Sequence, residues 1–220
     1  MKSLVLKDLF NIGHNAKAMM FMLIVFALVI IPQTGGEAYI VTSGILCSMM
    51  IITTFSFDDN SKWMRYAMIM PVSKKDIVKS KFVVLFIFCI IGVAVGFVIG
   101  MGGSIIYQII VGIEMKEISI LTFIGVSLIA LVISMVFGSI TIPLLFKFGA
   151  EKARTLSLVS FVVPVVICYT IYKVLVALGV TVTEKLLTVL LVCSPIFALF
   201  WCYLMYSASY KIFLAKESIL

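Results

Sequence analysis

The chain has 220 residues, of which 63% are apolar and 12% charged, with a formal net charge of +7 and a mean hydropathy of +1.26. That is more apolar surface than a water-soluble fold of this length can hide, so lipid must be the main solvent. The apolar runs lack period-two alternation, which argues against a transmembrane barrel, and no basic stripe interleaved with aromatics marks a nucleic-acid surface.

Residues 1–17 are expected to form an amphipathic interfacial helix, with Leu6, Leu9, Phe10 and Gly13 on one face and Lys7, Asp8, Asn11 and His14 on the other. It reads either as a positively charged topology anchor or as a docking surface. His14 is the sole histidine, so neither a metal site nor a catalytic pair is expected there.

Six spans follow, at about 18–31, 38–57, 82–113, 118–146, 156–172 and 186–206. A helix needs roughly twenty residues to cross the hydrocarbon, so the short first span is expected to borrow Lys17 by snorkelling and the uncharged stretch after Pro32. That stretch has no small-x-small cleavage site, so the first span is expected to be retained. The fold class is therefore an all-α integral membrane protein. Cys47, Cys89, Cys168, Cys193 and Cys202 all lie inside apolar runs and read as small buried hydrophobes.

Orientation follows from the basic residues. Of the seventeen, only Lys116, Lys173 and Lys185 fall on one side of this map, so the opposite side, with both termini, is expected to be cytoplasmic. The acidic residues all fall at or between span ends. No intramembrane carboxylate is left to couple ion flow to transport.

The loop 58–81 between the second and third spans carries six of the basic residues together with Trp63 and Tyr66. Trp63, Tyr66, Ala67 and Met70 recur at helical spacing, predicting a short helix over 61–70 that ends at Pro71. Ser73 and Asp76 then form an S-x-x-D cap for the helix that runs into the third span. A positive-inside anchor explains the charges, but a separately capped helix suits a lever presenting Ser61, Lys62, Trp63, Met64, Arg65, Tyr66 and Met70 to a cytoplasmic partner.

In the third span Gly92, Gly96, Gly100 and Ser104 form a four-residue ladder that lets backbones approach, either inside one subunit or at a subunit seam. Pro143, Pro164 and Pro195 are expected to kink the last three spans. There is no GxxxxGK[ST], HExxH or GxSxG segment, so ATP handling and enzyme action are not expected of this chain.

The interfacial helix, two spans, Trp63-x-x-Tyr66 and the segment MPVSKKDIVKSKF together resemble the permease subunits of ABC type-2 transporters, in which an LPvs-like pattern follows the second span. Among these the chain is similar, in size and in lacking a large outer domain, to permeases of bacterial plasma membranes that export phenol-soluble modulins and related amphipathic or antimicrobial peptides. The resemblance implies a coupling helix seated in a separate ATPase subunit, with Trp63, Met64, Arg65 and Tyr66 as its contacts. It also implies ATP and Mg held by that partner, and a second permease, identical or related. The family often has short re-entrant helices before its last span, for which only 174–185 and part of the last span are available. The alternative from another class is a small substrate-binding or structural membrane subunit of a multi-component transporter.

Overall fold

A computed structural model describes residues 2–13, 15–69, 72–112, 119–177 and 184–217, with backbone alone for most of 153–192. Every regular element among them is helical: α1 (Lys2–Gly13), α2 (Ala16–Thr34), α3 (Gly36–Ser48), α4 (Met50–Asn60), α5 (Trp63–Ile69), α6 (Lys74–Val111), α7 (Ile120–Ala177) and α8 (Glu184–Glu217). Where no water can reach the backbone, its donors and acceptors must pair within the segment, and the helix is the local solution.

Five stretches among the described residues are long and apolar enough to cross a bilayer: Ala16–Thr34, Gly36–Asn60, Lys74–Val111, Ile120–Lys152 and Cys193–Ala215. The protein is multi-pass. The expected fifth span, 156–172, is helical backbone within α7, its side chains mostly outside the described residues.

Some boundaries follow expectation and others do not. The first span takes in Lys17 at its start and Gln33 and Thr34 at its end, as its shortness required, and carries Pro32 inside it. A single residue, Gly35, joins it to α3 at φ +91, a conformation that favours glycine. Helix α6 starts after the Ser73 cap and runs without a break through Lys81 into the third span, as expected. Helix α7 joins the expected fourth and fifth spans into one element interrupted at Gly149.

Helix α6 is the axis of the bundle and touches α1, α2, α3, α4, α7 and α8. Its glycine ladder faces α3 of the same chain. A Cβ on Gly92 would lie 2.5 Å from Cys47 Cβ, one on Gly100 2.7 Å from Gly36 O, and one on Gly96 would collide with Ser43 Oγ. The close approach lets Ser43 Oγ donate across the interface to Gly92 O at 3.0 Å. The ladder is thus a packing seam within this chain, with Gly92, Gly96 and Gly100 all buried. Ser104 continues it, its hydroxyl within reach of Gly36. Tyr39, fully buried, ties α3 to α2 by donating to Leu23 O at 3.0 Å.

The largest apolar core lies at one end of the bundle and gathers Leu4 and Ile12 of α1, Phe55 of α4, Ala67 of α5, Ile77 of α6, Phe146 and Ala150 of α7, and Phe213 of α8. Edge-on contacts run Phe55 to Phe146 at 4.9 Å and Phe146 to Phe213 at 5.4 Å, linking three helices through aromatic rings. Helix α2, by contrast, leaves Phe21, Leu28 and Val29 exposed, an outward face suited to lipid. Cys47 and Cys89 are buried as expected of small hydrophobes, whereas Cys193 is exposed and Cys168 lies outside the described side chains.

Gly96→Ala should lower the unfolding free energy by about 1–3 kcal/mol, the usual range for overpacking, because the new methyl meets Ser43 Oγ and Ile40 Cα. Gly102→Ala on the same helix meets nothing within 4 Å and should leave stability unchanged or raised. Thermal melting of the detergent-purified chain distinguishes the two; equal melting would show that the ladder is not closely packed.

Candidate functional site

The expected lever region lies at the end of the bundle that holds the large core. Helix α4 carries Asp58 and Asp59 in its last turn, and Lys62, at φ +51, turns the chain into α5 by donating its N–H to Asp59 O at 3.1 Å. Helix α5 spans Trp63–Ile69, shorter than the expected 61–70, because Ser61 and Lys62 form the turn; Met70 and Pro71 lie outside the described residues. Ser73 then accepts a hydrogen bond from Asp76 N at 3.2 Å and starts α6.

The face of α5 differs from the expected one. Ala67 is buried and Trp63 and Met64 are half-buried against the core, while Tyr66 and Ile69 are 60% and 85% exposed. The expected stripe would have put Tyr66 beside Trp63 and Ala67. The Arg65 side chain is outside the described set. Ser61 and Lys62 are exposed.

Under α5 lies a closed ring of four charges. Asp58 reaches Lys7 at 2.5 Å with one oxygen and Lys81 at 2.6 Å with the other. Lys81 also reaches Asp8 at 2.9 Å, and Asp8 completes the ring 3.2 Å from Lys7. That last pair lacks hydrogen-bond geometry and leaves Asp8 Oδ1 held by charge alone. Asp8, Asp58 and Lys81 are each no more than 2% exposed. Two carboxylates and two ammonium groups sum to zero, the condition under which ions can stay in a dry interior.

Aromatic rings complete the surroundings of both cations. Lys81 Nζ lies 4.8 Å from the centre of the Phe55 ring, and Lys7 Nζ lies 4.3 Å from that of Trp63. Through Lys7, α5 is joined to the ring, and the ring joins α1, α4 and α6.

The ring also corrects the reading of α1. Its buried face carries Leu4, Asp8 and Ile12, one turn apart, while Leu6 and Phe10 are 54% and 72% exposed and Gly13 is exposed as well. Asp8 is drawn inward by Lys81 and turns the helix. Leu6 and Phe10 then point away from the protein, a face suited to the acyl boundary of a membrane. His14 lies outside the described residues.

Asp59 points elsewhere. Its Oδ2 accepts from Ala150 N at 2.8 Å, beside Gly149, whose φ of +77 and ψ of 172 interrupt α7. One pair of neighbouring acids therefore contacts α1, α6 and α7.

Sequence reasoning placed Asp8, Asp58 and Asp59 at or between span ends and counted Lys81 among the cytoplasmic basic residues, on the helix entering the third span. A signal was present for Asp8, which sits midway between Leu4 and Ile12 on one helical stripe, as a buried partner of a cation would. No local pattern marks the pairing of Lys81 with Asp8.

Compared with known families, residues 3–214 match the one described as ABC-2 family transporter protein. No individual curated protein matches the chain.

Asp58→Ala should lower stability by about 3–5 kcal/mol, because it leaves the buried Lys81 and the partly exposed Lys7 with one carboxylate between them. In the cycle of Asp58→Leu, Lys81→Met and their combination, the double variant leaves Lys7 with Asp8 and should lose far less than the two single losses added together, a strong coupling. Melting of the four proteins measures it; additive losses would mean that the ring does not act as one unit.

Proposed function

The chain belongs to the ABC-2 family of transporter proteins, and from this membership we propose that it is the permease subunit through which a separate ATP-binding subunit drives export, with α5 as the coupling helix. The observation that carries the reading is the form of α5: a short helix clamped to the bundle by Trp63, Met64 and Ala67, with Tyr66 and Ile69 turned outward. Trp63, Met64, Arg65 and Tyr66 came as contacts from the family resemblance. The packing favours Tyr66 and Ile69 as the outward pair, with Trp63 acting from behind.

The membrane arrangement we propose has six spans with both termini cytoplasmic. Its support is the asymmetry of the basic residues, together with a core that joins α1, α5, the foot of α6 and Phe213 near the C-terminus at one end. A second permease, identical or related, completes the transport pathway in this reading, and the ATPase holds ATP and Mg. The chain is then a component of a bacterial plasma-membrane exporter. An amphipathic peptide is the proposed substrate, a reading supported by resemblance in size and by the lack of a large outer domain.

Tyr66→Ala combined with Ile69→Asp should leave insertion intact and lower co-purification of the ATPase at least tenfold, since the pair is exposed and outside the charge ring. Trp63 is left in place because its removal would uncover Lys7. Unchanged recovery of the ATPase would sink the coupling assignment and favour a substrate-binding or structural subunit.

A further inference from the structure

Helix α7 has a joint at Gly149, and the start of its second half is held from another part of the chain. The first amides of a helix have no partner within it and are commonly capped by the preceding side chain. Here the preceding residue is Gly149, which has no side chain to offer. The cap comes instead from Asp59, 91 positions away, whose carboxylate accepts from Ala150 N and lies where a helix start favours negative charge.

A Cβ built on Gly149 would find a single non-neighbouring atom within 4 Å, Asp59 Oδ2 at 3.5 Å. With a glycine torsion on one side and one carboxylate on the other, Asp59 holds the first turn of residues 150–177 together with the packing of Ala150 in the core. Asp59 in turn stands in the last turn of α4, next to Asp58, and its carbonyl holds the turn into α5 through Lys62 N. Any displacement of α5 that moves this turn moves both carboxylates.

We infer that Asp59 is a positioning residue for coupling: it carries movement of the α4–α5 turn across the Gly149 joint to residues 150–177, while Asp58 carries the same movement through the charge ring to α1 and α6. The inference rests on the reading of α5 as the coupling helix. It assigns the lever two outputs, one a rigid ionic joint among buried charges and the other a single hydrogen bond at a glycine corner. Asp59 stands in α4, off the outward face of α5.

The experiment uses the permease purified with its ATPase, its five cysteines replaced and spin labels placed at the exposed positions Ile106 of α6 and Tyr169 of α7. Tyr169 lies roughly 28 Å beyond Ala150 along a helix, far enough for a small rotation at the joint to be read as distance. ATP with vanadate should shift the distance between the labels in the otherwise unmodified complex. Asp59→Ala should abolish the shift while ATPase recovery stays the same and basal hydrolysis stays within about twofold, near the scatter expected of a surface change. Asp59→Asn, which keeps an acceptor oxygen, should restore it.

A full shift in Asp59→Ala overturns the inference and leaves the docking reading standing. Loss of the ATPase from the labelled but otherwise unmodified complex overturns the docking reading and this inference with it, whereas a retained ATPase with no shift overturns the inference alone. Should Asp59→Ala fail to insert, Gly149→Ala takes its place: a side chain at φ +77 strains the joint beside an intact Asp59, and the same loss is expected. A normal shift there counts against the joint.

Discussion

Two lysines and two aspartates that share their partners, three of them buried and Lys7 at the rim, decide how one end of this bundle is assembled. Lys81 cannot be left in a dry interior alone, and neither can Asp8 or Asp58, so α1, α4 and α6 have one register in which all charges are answered. Apolar packing tolerates small slides between helices; a buried ion with two fixed partners does not. The ring of Trp63, under Lys7, extends this constraint to α5, where lateral contacts on a short helix are few.

Farther along α6 a different means serves. There the partners are glycines and small residues, and the helices are held by proximity and by the Ser43 hydrogen bond to Gly92 O rather than by charge. In a bilayer this division is physically sensible. The hydrocarbon offers no apolar driving force between helices, so close backbone contact holds the middle, while ions are confined to an end near the headgroups. Helix α6 crosses both regimes, charged and capped by Ser73 at its foot and glycine-lined above.

Features that depend on residues close in sequence could be read before the structure was known. The long apolar runs, the Ser73 cap spacing and the glycine ladder are of this kind, because hydropathy, a three-residue cap and a four-residue period are local properties. The face of α1 could not be read in the same way. A helical wheel sends every charge toward water, yet Asp8 is the centre of the buried stripe because Lys81, far along the chain, waits for it. The same reasoning counted Lys81 among the cytoplasmic basic residues without a partner, and left 147–155 between two spans, whereas the chain needs only one corner residue, Gly149, and a borrowed cap from Asp59. The pairing of Lys81 and the cap at Gly149 are long-range polar contacts that no local pattern encodes; for Asp8 the stripe was local and only its partner was distant.

A lever useful for coupling must be firm on its inner side and free on its outer side. Helix α5 has that asymmetry: Ala67 is buried and Trp63 is overlain by Lys7, while Tyr66 and Ile69 stand clear. Seven residues give about two turns, too few to be stable alone, so the helix persists only because the bundle holds its inner face. A push on the outer face therefore cannot be absorbed by bending within α5 without breaking those inner contacts. It passes instead into the turn at Lys62 and the paired acids below, where one carboxylate is locked among buried cations and its neighbour holds the start of a helix beyond a flexible glycine. Load applied at one point thus meets a stiff branch and a compliant branch, and it is the compliant one that can change the angle of a membrane segment.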